Sequence, residues 1–196
     1  MLRFYTIGHS SHAAERFVDL VKRHGIEVLV DTRSAPYSKF SPQFDRELLR
    51  DLVTAAGVRY LYMGDVVGGR PKEKGHYDEQ GRVLYSRVAE SAEFLDGIAR
   101  LERGAAEYRV ALMCSEEDPA HCHRRLLIGR VLSERGAELL HIRGTGELQA
   151  EVDVARASGK EIAEKQPALF AELEEARWRS TASVLRKGQQ PNSSAR

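Results

Sequence analysis

Five short, largely apolar runs set the frame of this chain: residues 2–7, 26–30, 58–63, 109–113 and 137–142. Consecutive apolar side chains suit strands covered on both faces, the habit of parallel sheets rather than half-exposed antiparallel ones. Helical stripes separate the runs. Phe17, Leu20, Val21 and His24 share one face, as do Leu48, Leu49, Leu52, Val53 and Ala56, and a third helix is expected over 85–103 with Val88, Ala92, Leu95 and Ala99. Leu126, Leu127, Ile128, Val131 and Leu132 make a fourth stripe. Gly25, Gly57 and Gly136 stand where helices should stop. Strands joined by single helices across short turns give right-handed crossovers. The expected fold is therefore α/β: a three-layer, Rossmann-like open sheet of about five mainly parallel strands with helices on both faces, plus C-terminal helices.

A chain of 196 residues suffices for one well-buried domain with an appendage. The α/β domain is expected over residues 1–146, with Gly144-Thr145-Gly146 as a flexible joint. A helical extension would occupy 147–186, with Leu169, Phe170, Leu173 and Trp178 available to dock, and a polar, disordered tail 187–196. Thirty Lys and Arg against 29 Asp and Glu leave a charge of +1, so no global basic field argues for nucleic acid. The apolar runs are too short to span a membrane, and the N-terminus lacks a leader-like pattern. Two cysteines make no disulfide framework, so a reducing cytoplasm is the expected setting.

The polar clusters are informative by position. Thr6-Ile7-Gly8-His9-Ser10 ends the first run, Asp31-Thr32-Arg33-Ser34 the second, a glycine-rich segment 64–82 the third, and Cys114-Ser115-Glu116 the fourth. In a parallel sheet all four fall at the carboxyl edge, where open α/β sheets bind ligands. The stretch 108–132 carries most of the chemistry. Asp118-Pro119 reads as a helix start, which would put Cys122, His123, Arg124 and Arg125 in the first turns, near unpaired backbone N–H groups that favour anions.

Each group has more than one reading. Cys114 is a packed thiol, a nucleophile or a metal ligand; Cys122 is a buried small residue or the other half of a reversible disulfide. His123 faces the sheet as a core histidine or a general acid–base group. Arg124 and Arg125 need partners among Glu116, Glu117, Asp118 and Asp31, or clamp a substrate. His12, His76, His121 and His141 read as surface residues. On a helix the adjacent Cys122 and His123 would diverge by about 100°, so the spacing is no zinc signature. No cofactor is expected; a zinc ion, if present, would use Cys114, Cys122 and His123.

The run 5–10, the Asp31-x-Arg33-Ser34-x-Pro36 segment, Gly68-Gly69, Cys114-x-Glu116 and Cys122-His123-Arg124 together resemble the DUF488 family of bacterial and archaeal proteins, over roughly residues 3–143. Thr32, Lys39 and Val67 stand where the family usually has Val, Arg and Leu; Lys39 keeps the charge but loses the guanidinium fork. The resemblance implies the fold and the site, and no particular reaction.

The leading expectation is a small cytoplasmic enzyme, a hydrolase or transferase acting on an anionic, phosphate-bearing nucleotide or nucleic acid. Cys114, Glu116, Asp31, His9 and His123 would do the chemistry. Thr6, Gly8, Ser10, Arg33, Ser38, Lys39, Gly68, Gly69 and Arg124 would bind substrate, with the 64–82 loop closing over it. A non-catalytic nucleic-acid module and a redox- or metal-responsive regulator built on Cys114 and Cys122 are the alternatives. The chain carries neither a dinucleotide glycine fingerprint nor a P-loop.

Overall fold

The structure, a computed structural model, describes residues 1–165 and 178–184. The strands are β1 (Arg3–Gly8), β2 (Val28–Asp31), β3 (Arg59–Tyr62), β4 (Val110–Cys114), β5 (Glu138–Ile142) and β6 (Leu148–Ala150). They form one sheet in the order β3-β2-β4-β1-β5-β6, with every pairing parallel except β5 with β6. The helices are α1 (Ala14–Arg23), α2 (Arg46–Ala55), α3 (Tyr85–Ala89), α4 (Ala92–Glu107), α5 (Arg130–Glu134) and α6 (Glu151–Lys165).

Strand alternation divides the core into two layers. Phe4, Val30, Val110, Leu112 and Leu139 meet Phe94, Ile98, Leu101, Leu127, Ile128 and Leu132 on one face. Tyr5, Ile7, Leu29, Ala111, Met113 and Ile142 meet Phe17, Leu20, Val21, Leu49 and Val53 on the other. This is the expected three-layer α/β architecture. Among the described residues no helix is long and apolar enough to cross a membrane.

The structure departs from the sequence reading in four places. The helix expected over 85–103 is two helices, because Ser91 starts a new one by accepting from the Phe94 amide. Asp118 does accept from the Ala120 amide, but the turn it caps, Pro119–His121, is a single 3₁₀ turn. Cys122 is then extended (φ −109°, ψ 141°), and the helix proper begins with a π-helical turn, Arg124–Gly129, that runs into α5. The segment 64–82 is a packed loop rather than a free lid: Val67 is fully buried, Lys74–His76 forms a 3₁₀ turn, and Tyr77 bridges to Val83.

The fourth departure is C-terminal. The expected joint at 144–146 is the turn into β6, with Gly146 at φ +93°, so the sheet continues past the expected domain boundary. Trp178 docks on the core with the Arg130 guanidinium 3.9 Å from its ring, while Arg179 bridges Leu84 and Ser180 pairs with Val83. These residues are not helical, where a helix was expected. Leu169, Phe170, Leu173 and the 187–196 tail lie outside the described residues.

Candidate thiol site at the carboxyl edge

Strand register gathers the polar clusters. β4 lies between β1 and β2, so Cys114 stands opposite Gly8, and Met113 opposite Asp31. The ladder continues past the strands: His9 and Ser10 amides donate to the Cys114 and Ser115 carbonyls, and Thr32 donates from its amide and hydroxyl to Met113. Loops that would otherwise splay are thus zipped together. Gly8 is required there, because a Cβ would stand 1.8 Å from the Glu116 carbonyl oxygen.

Two thiols and a carboxylate meet at this edge. The Cys114 and Cys122 Sγ atoms are 2.6 Å apart, and Glu116 Oε2 lies 3.1 Å from the first and 3.3 Å from the second. Each cysteine is 1% exposed and unbridged, whereas Ser115 and Asp118 are exposed, so the sulfurs sit just beneath the surface. Glu116 is exposed as a residue but turns its carboxylate inward. Burial works to raise its pKa; hydrogen bonds from Cys114, its own amide and Cys122, together with nearby His123, outweigh this and bring it down. Burial, then the Cys114 hydrogen bond, pushes the Cys122 thiol well up. Buried Tyr85 stands close enough that the same groups add to the burial raising its phenol.

His123 completes the surroundings. Its Nε2 is 3.0 Å from the Thr32 carbonyl, which can only accept, so that nitrogen carries the proton and Nδ1 presents its lone pair 3.8 Å from Cys122 Sγ. Burial lowers its pKa, which keeps the ring neutral. Gly69 packs against His123, where a Cβ would come within 2.7 Å of Cγ, and Gly68 fits tightly against Gly64 and Ser34. Both glycines therefore position groups by close packing.

Arg124 is a correction to the substrate-clamp expectation. It is 1% exposed, and all three of its nitrogens are engaged inside the protein. Nε donates to Thr6 Oγ1 (3.2 Å), Nη1 to Cys114 Sγ (2.7 Å) and to the Glu116 carbonyl, and Nη2 to the Glu117 carbonyl (2.7 Å). It pins the loop over the sheet and holds a permanent positive charge beside a sulfur. Its companion Arg125 pairs with Glu151 of α6, 2.9 Å away.

Thr6 extends this into a chain. Its hydroxyl lies 2.8 Å from His141 Nδ1, and His141 Nε2 donates to Glu151 Oε2 at 2.8 Å. His141, expected at the surface, is wholly buried. Thr6 accordingly serves as an internal link.

Arg33 and Asp31 are likewise committed to each other. The guanidinium is bidentate on the carboxylate (2.9 and 2.7 Å), and the Tyr60 hydroxyl donates to the same carboxylate at 2.6 Å. Tyr60, absent from the sequence reading, is pushed up by burial and then by Asp31. His9 donates from Nδ1 to the Ser10 carbonyl and accepts at Nε2 from Arg33, 3.2 Å away, while stacking 4.4 Å over Phe44. Both of its nitrogens are satisfied, which suits a structural role. Ser10 takes a left-handed conformation (φ 47°) in the same loop. Ser38 donates its amide to Asp45, and Lys39 is exposed at the loop tip with Phe40.

A pH dependence follows. Burial, with Arg33 adding to it, lowers His9 from 6.5 to about 4 in the fold. Between those values the unfolded chain binds a proton that the native one refuses, so stability is full above about pH 6.5 and falls toward pH 4. The loss amounts to about 3 kcal/mol. Burial lowers His123 and His141 in the same direction. Urea melts at pH 7 and pH 4.5 should differ more for the native chain than for His9→Gln, and equal pH sensitivity of the two would contradict the reading.

Sequence spacing could not reveal the partners in these networks: Thr6 and Arg124 are 118 residues apart, and His141 and Thr6 are 135 apart. In the comparisons with known proteins, a family model described as "Domain of unknown function DUF488" matches residues 13–131. No curated protein and no solved structure matches the chain.

Proposed function

The chain belongs to the DUF488 family, and on its own residues we propose that it is a thiol-based redox protein working through reversible pairing of Cys114 and Cys122. The observation that carries this is the contact of two sulfurs with each other and with one carboxylate. The cysteines are eight positions apart in sequence, and the extended Cys122 turns back onto the end of β4.

The oxidant is a hydroperoxide. Sulfur of Cys114 attacks the peroxide oxygen; an S–O bond forms, the O–O bond breaks, and water or an alcohol departs. The Cys122 sulfur then attacks that sulfenic acid; the S–S bond forms and water leaves. The Glu116 carboxylate is within reach of both thiol protons, and Arg124 offsets negative charge on Cys114. The disulfide would draw the 115–122 loop onto β4 and release the carboxylate.

A hydrolase or transferase acting on a phosphate-bearing substrate drew on Arg33 and Arg124. Both guanidiniums are buried and committed internally, so that reading takes no support from them. The nucleic-acid reading keeps Lys39, Phe40 and Arg70, all of which are exposed.

The test uses reduced full-length protein and hydrogen peroxide. The native chain should lose both alkylatable thiols together and regain them with dithiothreitol, while Cys122→Ser should accumulate a dimedone-reactive sulfenic acid at Cys114. Oxidation of each cysteine independently of the other, at unchanged rates in the single variants, would overturn the proposal.

A further inference from the structure

The same edge carries a set of donor atoms that redox chemistry alone does not require. Cys114 Sγ, Cys122 Sγ and a Glu116 carboxylate oxygen all lie within 4.8 Å of one another. His123 Nδ1, 3.8 Å from Cys122 Sγ, lies outside that trio. From this convergence we infer that the site binds one thiophilic divalent cation, of the zinc type, through Cys114, Cys122 and Glu116.

Three features support the assignment. The first is the donor chemistry. Two sulfurs with one carboxylate oxygen suit zinc rather than the hard cations magnesium and calcium, which take oxygen ligands. Zinc binds sulfur at about 2.3 Å and nitrogen or oxygen at about 2.0–2.2 Å, which sets tetrahedral neighbours roughly 3.5–3.8 Å apart. The 3.1 and 3.3 Å from Glu116 to the two sulfurs come near this range, and the sulfurs, now 2.6 Å apart, would separate by about 1 Å on binding.

The second is charge. Two thiolates and a carboxylate bring three negative charges into a buried place, and a divalent cation supplies two positive ones. Arg124, held 2.7 Å from Cys114 Sγ, supplies the third. A permanent cation in the wall of the site is what an otherwise anionic metal centre needs to be stable when desolvated.

The third is the backbone at Cys122, which is extended and brings its sulfur back onto Cys114 and Glu116 at the end of β4. The sequence argument against zinc rested on helical divergence of Cys122 from His123. That objection does not apply, because Cys122 is extended and precedes the helix.

The proposal shares the thiol pair with the redox reading but does not depend on it. Metal and disulfide compete for the same sulfur electrons, so a bound cation would hold the pair reduced until an oxidant displaces it.

The experiment titrates reduced, metal-stripped full-length protein with Co(II) and then Zn(II), anaerobically and without oxidant. One equivalent should bind, with sulfur-to-cobalt charge-transfer bands that Zn(II) bleaches. Cys114→Ser and Cys122→Ser should each lose at least roughly tenfold in affinity and part of those bands; Glu116→Gln should weaken binding with the bands retained. Where a cysteine variant fails to fold, protection of both native thiols from alkylation by one equivalent of Zn(II) decides the question. Absence of stoichiometric uptake, or unprotected thiols at saturating Zn(II), overturns the proposal. Failure to form a disulfide with peroxide would leave these readouts unchanged, and so would sink only the redox reading.

Discussion

Arg124→Met is expected to destabilise the protein by about 3–5 kcal/mol, the usual cost of breaking a buried charged network. Methionine fills much of the volume but donates no hydrogen bonds. The Glu116 and Glu117 carbonyls, Thr6 Oγ1 and Cys114 Sγ would then lose their shared partner. Buried acceptors left alone cost about 1–3 kcal/mol each, moderated here because the 115–118 residues can move toward water. Arg124→Lys should recover only part of the loss, since one ammonium cannot reach four acceptors arranged around a planar fork. Urea unfolding measures the first effect and alkylation of native protein the second: both cysteines should react faster in Arg124→Met once the loop above them is released. A variant as stable as the native chain, with equally slow thiols, would show that Arg124 is not the clamp.

Gly8→Ala is the second large effect. The new methyl group would stand 1.8 Å from the Glu116 carbonyl oxygen, 2.5 Å from its carbon and 2.8 Å from Glu117 Cα. All three are backbone atoms, so no side-chain rotation relieves the clash. Overpacking of this kind costs about 3 kcal/mol, and for a chain of this size that lowers Tm by roughly 6–12 °C. The loop can yield only by lifting away from β1, which carries Glu116 off the two sulfurs. Gly159→Ala in α6 is the control: among the described residues nothing lies within 4 Å of the added carbon, and helix propensity favours alanine by up to about 1 kcal/mol. Equal melting temperatures for the two variants would argue against the close approach at Gly8.

Much of the fold was legible because it depends on local pattern. Apolar runs marked β1 to β5, and Gly57 and Gly136, at φ +82° and +86°, stop α2 and α5 where only glycine fits comfortably. Parallel strands then placed Cys114, His9, Asp31 and Arg33 at one edge without any knowledge of contacts. β6 was missed because Leu148–Ala150 is too short for a period to register and runs straight into α6. The π-helical turn at Arg124–Gly129 carries the same apolar stripe as an α-helix, so periodicity could not distinguish the two.

The roles of the site residues were harder to read than their location. Arg33 and Arg124 look the same in sequence whether they meet a phosphate or a neighbour, and only the fold shows that Asp31, Thr6 and two carbonyls occupy them. His141 looked superficial because its partner Thr6 lies at the other end of the domain. The thiol pair was anticipated as one alternative; what the sequence could not reveal was that Cys122 leaves the helix and that Glu116 turns back onto both sulfurs.

Peptide mapping of the peroxide-treated native chain under non-reducing conditions tests the central claim most directly. One linked peptide pair joining Cys114 to Cys122 within a single chain, lost on reduction, is the expected result. Recovery of the two cysteines unlinked, or linked only between different chains, would contradict it.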